Sequence, residues 1–262
     1  MMQQSLFIRD SKRRNKLEKI YLVLGASSDV GIEFINTMKL ANEAVTIVAT
    51  YRNMSDGLQK AIDEPGCLDI IPMQVDLSSK EDVEEFIAGM KDLQIVPTHI
   101  LHLAASKLEY KKIKAWDEQN AAESMQIGFF SFARICSEYL PVMAKNKYGK
   151  AVVMLSSCTL GNPPKFMSEY MAVKGALLGF MKAAAAEYAD KGLNINGISP
   201  NMMETKFLSN IDERIVEMSA ESTSRKRNIT VTETVNGIMW LFSEGASYVN
   251  GINLNLSGGD YM

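Results

Sequence analysis

The chain has 262 residues, of which 47% are hydrophobic and 23% are charged. This is the composition of an ordinary globular protein with enough apolar material for a sizeable core, so disorder of the whole chain is excluded. The net charge of -3 gives no electrostatic case for nucleic acid or an anionic membrane surface as the main partner. These bulk properties favour small-molecule chemistry.

The cysteines and the N-terminus indicate where such a protein works. The three cysteines are odd in number and show no CxxC spacing, so neither a disulfide framework nor a bound metal is predicted. Residues 1–18 are polar and basic and lack the apolar core of a signal peptide. No apolar run approaches the ~18 residues of a membrane span. We therefore expect a soluble cytoplasmic protein with no membrane partner and with residues 1–18 as a polar extension.

Short apolar runs alternate with helical patterns along the rest of the chain. The first run covers residues 20–25, and apolar residues at helical spacing follow it. Similar runs recur at residues 45–50, 69–75, 99–104, 151–156, 193–199 and 252–256. Such alternation predicts a Rossmann-like, doubly wound parallel sheet in a three-layer αβα fold of the α/β class. Since no linker or repeat divides residues 19–262, a single domain is expected.

Residues 201–230 break this alternation with a Met-rich start and mixed charge. We interpret the segment as a substrate loop over one edge of the sheet, where α/β proteins place loops that close on ligands. Its basic run, Arg225 to Arg227, fits either an anionic carrier group or ordinary solvated surface charge. The residues that suggest an apolar lid are Met202, Met203, Phe207 and Ile211.

A glycine-bearing turn joins the first predicted strand to the first predicted helix. Such a turn aims backbone N–H groups and the positive end of the helix dipole at a phosphate, so it is a candidate cofactor site. The alternative is a plain strand–helix turn that needs glycine only for its backbone angles. The candidate residues of this turn are Gly25, Ser27, Ser28, Asp29, Val30 and Gly31.

A phenol and an ammonium group lie four residues apart, at Tyr170 and Lys174, in a segment at 170–190 that favours helix. Helical spacing puts both on one face, about one turn apart. Ser157 precedes Tyr170 by thirteen residues and follows an apolar run. A neutral phenol can act as a proton donor, and a nearby cation lowers the pKa of such a phenol. For the pair alone, a solvated surface contact is the alternative.

The glycine turn, the position of Ser157 and the YxxxK spacing together resemble the short-chain dehydrogenase/reductase family over residues 19–260. The resemblance implies hydride transfer between a nicotinamide cofactor and a carbonyl or secondary alcohol. Tyr170 is then the catalytic acid, Lys174 also binds the nicotinamide ribose, and the Ser157 hydroxyl holds the substrate oxygen. A 3-oxoacyl thioester, which is a carrier-bound substrate, and a specialised biosynthetic intermediate remain equally open.

The resemblance also implies cofactor contacts beyond the glycine turn. Asp76 corresponds to the family's adenine-contacting aspartate, although an aspartate that caps the helix near Ser79 is an equal alternative. Thr205 matches the threonine that contacts the nicotinamide carboxamide. The residues carried over in this way are Asp76, Leu77, Ala104, Ala105, Tyr170, Lys174, Pro200 and Thr205.

The end of the second predicted strand indicates which cofactor is preferred. Family members that prefer NAD carry an acidic residue there, whereas this chain has Arg52 and no acid at residues 50–53. An arginine can pair with a 2′-phosphate through charge-assisted hydrogen bonds, so NADP(H) is predicted over NAD(H). The alternative is that Arg52 is an ordinary solvated loop cation.

Several positions depart from the family pattern and keep a second hypothesis open. Gly128 lies near the place of the family's fourth catalytic residue, an asparagine, and we interpret His102 as a structural histidine rather than a proton-transfer group. The second hypothesis is a catalytically weak nucleotide-binding protein with a structural or sensing role. The departures that motivate it are Asp29, Leu103, Gly128 and Asn201.

A row of small residues in the predicted helix at 170–190 permits close approach of another helix. Family members commonly pair subunits through this helix, so a homodimer or homotetramer is expected. The alternative is that the row packs against the chain's own sheet. The row consists of Ala172, Gly175, Ala176 and Gly179.

Overall fold

One sheet of seven parallel strands forms the centre of the computed structural model, which describes residues 18–260. The strands are β1 (Ile20–Leu24), β2 (Thr46–Tyr51), β3 (Asp69–Gln74), β4 (His99–His102), β5 (Gly149–Met154), β6 (Leu193–Pro200) and β7 (Asn253–Leu256). Their order is β3-β2-β1-β4-β5-β6-β7, and every neighbouring pair is parallel. The predicted strands agree with these bounds to within two residues.

Eight α-helices are present in the part of the chain that the structure describes. They are α1 (Asp29–Leu40), α2 (Asp56–Asp63), α3 (Lys80–Asp92), α4 (Glu118–Met125), α5 (Ser131–Lys145), α6 (Ser168–Glu187), α7 (Glu213–Ser222) and α8 (Val231–Phe242). The apolar core on one face of the sheet takes in α1, α2 and α8, and the core on the other takes in α3, α5 and α6. The prediction of a three-layer αβα fold is therefore confirmed.

Burial of the sheet on both faces explains why the strands read as nearly continuous apolar runs. Successive side chains of a strand point to opposite faces. Leu22 and Leu24 accordingly enter one core, and Tyr21 and Val23 enter the other. A strand with one solvated face would instead alternate apolar with polar residues.

The strand order reverses between β1 and β4, because the chain leaves β1 towards β2 and later returns to the other side of β1. In open parallel sheets, a crevice for ligands forms outside the carboxyl ends of the strands at such a point. The glycine turn that follows β1 lies at this crevice, and so does the loop that follows β4.

One segment differs from its sequence-based expectation, and another lies outside the residues that the structure describes. Residues 201–230 hold helix α7 as well as loop, whereas the sequence predicted loop alone. Residues 1–17, most of the predicted polar extension, lie outside the described residues. Across residues 18–260, no helix is both long enough and apolar enough to cross a membrane.

Candidate active site

A cleft of about 1060 Å³ opens at the carboxyl ends of the strands, at the switch point between β1 and β4. Its walls come from the segments after all seven strands and from α1, α6 and α7. The predicted site residues that line it are Gly25, Ser27, Ser28, Asp29, Val30, Arg52, Asp76, Leu77, Ala104, Ala105, Ser157, Tyr170, Lys174, Pro200 and Thr205. Residues far apart in sequence thus meet in one cavity.

The glycine turn forms a cradle at the amino end of α1. Gly25 has a φ of 88°, and a Cβ there would lie 3.1 Å from the backbone nitrogen of Ala104. Ser28 caps α1, because its hydroxyl oxygen accepts a hydrogen bond from the Gly31 N–H (3.1 Å). A turn that begins with glycine and leads into a capped helix terminus fits the diphosphate of a dinucleotide cofactor.

Gly31 has a different role from the rest of this turn. It lies behind the cleft wall, and a Cβ at this position would lie 2.6 Å from the carbonyl oxygen of Ala26. The absence of a side chain therefore lets α1 pack closely on the turn. Gly31 shapes the cradle without facing the cavity.

Arg52 and Asp76 lie at the end of the cleft formed by β2 and β3. Partial burial raises the pKa of Asp76, but hydrogen bonds from the side chain and backbone of Ser78 and the charge of Arg52 lower it overall. Helix α3 is capped by Ser79, whose hydroxyl accepts from the Asp82 N–H (3.1 Å). The alternative that Asp76 caps this helix is therefore wrong.

Tyr170 and Lys174 lie one turn apart on α6, and Lys174 Nζ is 5.6 Å from the centre of the Tyr170 ring. Lys174 is 3% exposed, and its Nζ donates a hydrogen bond to the Met154 carbonyl oxygen (2.7 Å). Burial lowers the pKa of Lys174 to about 8 and raises the pKa of Tyr170 above its ordinary value. At neutral pH the phenol is therefore protonated and able to donate.

The expectation that Lys174 lowers the pKa of Tyr170 is wrong for the protein alone. Burial is the largest influence on this phenol and raises its pKa, while a hydrogen bond with Ser156 lowers it. The ammonium group of Lys174 instead bonds to Met154 at the end of β5. Loss of water outweighs the attraction that a neighbouring cation offers to a phenolate.

Two adjacent serines, not one, face Tyr170. Ser156 and Ser157 both line the cleft directly after β5, and the Ser156 hydroxyl also accepts from the Cys158 N–H (3.2 Å). The thirteen-residue spacing selects Ser157, whereas the pKa of the Tyr170 phenol is lowered through a hydrogen bond with Ser156. In the sequence, the pair of adjacent serines after the strand was the feature that could have indicated a role for Ser156.

The position near which the family carries an asparagine is closed to any side chain. Gly128 lies in a π-turn (Gln126–Phe130) between α4 and α5, and a Cβ there would lie 2.5 Å from Val173 Cγ1 on α6. Buried His102 stacks on Phe132, and its Nε2 lies 2.7 Å from the Gly128 carbonyl oxygen. Burial lowers the pKa of His102 to about 3, so this ring is neutral and donates through Nε2–H. The structural interpretation of His102 is supported, because it joins β4 to the π-turn.

An apolar wall faces Tyr170 from the substrate loop. The centre of the Phe207 ring lies 6.2 Å from the centre of the Tyr170 ring. Ile211, predicted as part of this lid, is not among the cleft-lining residues, because the chain turns into α7 at that point. The apolar residues of the loop and of α7 that line the cleft are Met202, Met203, Phe207, Leu208, Ile215 and Met218.

The basic run of the loop lies outside the cleft lining. Arg227 forms an ion pair with Glu233 (2.6 Å), and Lys226 Nζ donates to the Glu221 carbonyl oxygen (2.8 Å). Arg225 packs against the backbone at Gly258. These contacts favour the interpretation of the run as surface charge over a site for an anionic carrier.

The fold and the cleft define a class of protein, an α/β enzyme with a Rossmann-like cofactor crevice. Comparison with known proteins then identifies the family within this class. The family described as enoyl-(acyl carrier protein) reductase matches residues 25–260. The 3-oxoacyl-(acyl-carrier-protein) reductase of Buchnera aphidicola subsp. Schizaphis graminum is 27% identical over 249 residues, which are 94% of this chain and 98% of that protein. The enzyme of the same description from Escherichia coli strain K12 is 24% identical over 247 residues, 93% of this chain and 98% of that one.

Solved structures share the fold at low sequence identity. Levodione reductase has a TM-score of 0.83 at 20% identity, with 93% of this chain and 97% of that chain covered. A 4-hydroxyisoleucine dehydrogenase complexed with NADH has a TM-score of 0.81 at 20% identity, with 92% and 98% covered. The chain belongs to the short-chain dehydrogenase/reductase family. It is an oxidoreductase that acts on CH–OH or C=O groups with a nicotinamide cofactor.

Proposed function

We propose that this protein is an NADP(H)-dependent ketoreductase in which Tyr170, Lys174 and Ser157 are the catalytic residues. The observation that carries the proposal is the meeting of the Tyr170–Lys174 pair, the paired serines and the glycine cradle in one cleft. The cofactor supplies a hydride to the carbonyl carbon. All other steps fall to the chain's own side chains.

The chemistry follows from the protonation states in the cleft. As the hydride reaches the carbonyl carbon, negative charge grows on the substrate oxygen, and the protonated Tyr170 donates its phenolic proton there. The Ser157 hydroxyl holds that oxygen as a fixed hydrogen-bond donor. Lys174 holds the ribose next to the nicotinamide and provides a positive charge close to the developing phenolate. The product is a secondary alcohol.

The remaining cofactor residues are proposed to follow the cleft from end to end. The cradle from Gly25 to Val30 takes the diphosphate, and Gly31 shapes it from behind. Arg52 takes the 2′-phosphate, while Asp76 and Leu77 contact the adenine. At the other end, Ala104 and Ala105 leave room for the cofactor. Pro200 and Thr205 approach the carboxamide.

The substrate is proposed to be a ketone with a substantial apolar part. The wall formed by Phe207, Ile215 and Met218 offers little to a sugar, and Met218 is 66% exposed although it lines the cleft. A carrier-bound 3-oxoacyl group is one such substrate, favoured by the description of the bacterial relatives. A ketone of specialised biosynthesis is the other.

Assembly and location are proposed on separate grounds. The Cβ positions of Gly175 and Gly179 on α6 meet no atom within 4 Å, so these two residues do not pack on the chain's own sheet. Their open face supports a homodimer or homotetramer formed through α6. All three cysteines are free, which supports a reducing compartment such as the cytoplasm. We also propose that residues 19–262 form one functional domain and that its substrate loop lies at residues 201–230.

Replacing Tyr170 with phenylalanine tests the proposal. Removal of the phenolic proton should lower ketone reduction by about a hundredfold to ten-thousandfold, the usual range for a lost general acid. NADPH binding, followed by cofactor fluorescence, should persist because the ring and Lys174 remain. Unchanged turnover of a ketone panel by Y170F would remove Tyr170 as the acid.

A further inference from the structure

The carboxylate of Asp29 reaches across the mouth of the cleft. Its Oδ2 accepts a hydrogen bond of 2.7 Å from the backbone N–H of Lys206, a residue 177 positions later in the chain. Asp29 is the first residue of α1, and Lys206 is the first residue of a short helical turn, Lys206–Leu208, in the substrate loop. One bond therefore joins the cofactor cradle to the substrate loop.

The other anchors of the loop lie elsewhere. At its start, Asn201 Nδ2 donates to the Ser257 carbonyl oxygen and to Asp260. Glu204 accepts a hydrogen bond from Asn228, which lies beyond α7. Thr234 of α8 also donates to the Met203 sulfur (3.0 Å), and the Ser224 N–H donates to Asp260 (2.8 Å). None of these anchors is made by the turn Lys206–Leu208. The Asp29 bond is the one that holds the turn Lys206–Leu208 towards α1.

This turn carries Phe207, the residue whose ring lies 6.2 Å from that of Tyr170. A carboxylate accepts a peptide N–H more strongly than a neutral oxygen does. Without a side chain at position 29, the turn would lose this acceptor, and Phe207 would lose its fixed distance from Tyr170. Asp29 thus affects the Tyr170 phenol indirectly, through the Lys206 peptide group and the Phe207 ring.

We propose that Asp29 is a positioning residue that holds the Lys206–Leu208 turn against the cofactor cradle and so places Phe207 beside Tyr170. The inference rests on the proposed function, because it assigns the effect to the substrate side of the same cleft. Asp29 acts on the reaction only through Lys206 and Phe207. The carboxylate makes no proton transfer of its own.

The backbone at Lys206 allows two substitutions that together isolate the effect of the N–H donor. Thr205 has φ of -138° and ψ of 166°, an extended conformation that suits the residue before a proline. Proline is also well accepted at the first position of a helical turn. Lys206→Pro therefore removes the N–H, and Lys206→Ala is its matched control, because it removes the side chain and keeps the N–H.

The first measurement is amide hydrogen exchange on the full-length protein without ligands, with overlapping peptides that isolate the Lys206 amide. This amide should be protected in the wild type and should exchange at least about tenfold faster in D29A, as expected for loss of a bond worth about 1.4 kcal/mol. Asp29→Asn keeps an acceptor oxygen and should retain part of the protection. Equal exchange at Lys206 in the wild type and D29A would overturn the proposal.

The second measurement separates positioning from the charge of Asp29, which also lies near the proposed diphosphate site. The KM for a ketone should be about tenfold higher in K206P than in K206A, with a smaller change in kcat. D29A/K206P should be no worse than K206P, since both changes break one bond. Equal KM values in K206P and K206A, or additive losses in the double variant, would contradict the positioning role. If the wild type reduced no ketone, the proposed function would fail, while the exchange result would still decide whether the contact exists.

Discussion

Ser156 and Ser157 are neighbours in the chain, and we propose different roles for them beside the Tyr170 phenol. Both hydroxyl groups belong to the segment that directly follows β5, and both line the cleft. Ser156 lowers the pKa of Tyr170 through a hydrogen bond, against the larger effect of burial. Ser157 remains the residue that we propose to hold the substrate oxygen.

We expect the variants S156A and S157A to differ in kind. Ser157→Ala should lower kcat/KM for ketone reduction by about a hundredfold at every pH, because a fixed donor to the growing negative charge is lost. Ser156→Ala should raise the pKa of Tyr170 further, so the rate of alcohol oxidation, which needs the phenolate, should rise only at higher pH. Rate profiles of both variants from pH 6 to above pH 10 test this. A uniform loss in S156A with an unshifted profile would assign the substrate contact to Ser156.

Arg52 allows a residue-scale test of cofactor choice. Arg52→Ala should weaken NADPH binding about tenfold to a hundredfold and leave NADH binding nearly unchanged, because only NADPH carries the 2′-phosphate. Fluorescence titration with both cofactors measures this, and Arg214→Ala provides a control, since Arg214 is an exposed cation on α7 that does not line the cleft. A wild-type protein that prefers NADH would contradict the proposal that Arg52 binds the 2′-phosphate.

At the scale of elements, the π-turn between α4 and α5 has a glycine where the family carries an asparagine, and α6 packs closely against it. Gly128 fits there because Val173 of α6 occupies the space that a side chain would need. His102 donates to the carbonyl oxygen of the same turn. The asparagine of the family therefore cannot be restored at this position unless the Val173 side chain is displaced or shortened.

Gly128→Asn should destabilise the protein by about 1–3 kcal/mol, the usual cost of overpacking a buried contact. The double variant G128N/V173A should recover part of this loss, because it removes the Cγ1 that lies 2.5 Å from the new Cβ. Urea unfolding of the wild type, both single variants and the double variant measures the coupling. Full stability of G128N alone would contradict the packing around the π-turn.

At the scale of the whole molecule, the buried Lys174 makes the stability of the fold depend on pH. Lys174 lies in the interior with 3% of its surface exposed, and burial lowers its pKa from 10.5 to about 8. The unfolded chain therefore binds more protons than the folded one between these two values. Stability consequently rises with pH across that window, and the burial cost is complete below about pH 8.

Lys174→Met should abolish turnover and remove this pH dependence. The free energy of unfolding of the wild type relative to K174M should rise by about 3 kcal/mol between pH 8 and 10.5, since one pKa unit corresponds to about 1.4 kcal/mol. The difference between the two proteins cancels the contributions of all other titrating groups. Parallel stability curves for the two proteins across this window would show that Lys174 titrates normally.

Much of the fold and part of the site could be predicted from sequence, because the signals are local. Apolar runs of strand length located all seven strands, and the YxxxK spacing placed Tyr170 and Lys174 on one helix face. Helix α7 was missed because none of its residues is buried, so the segment showed no clear apolar period. The sequence could not decide whether Asp76 contacts the adenine or caps a helix, and the structure shows that Ser79 is the cap of α3.

The sequence by itself determined the parallel sheet, the order of the motifs and the candidates for the reactive groups. Only the tertiary structure decided that Asp29 bonds to Lys206 across the cleft, that Ser156 contacts the phenol and that Val173 fills the space beside Gly128. It also decided that burial raises the pKa of Tyr170 although Lys174 is near. The physical reason is that spacing and periodicity are properties of neighbours along the chain, whereas contact and loss of water depend on which distant segments pack together.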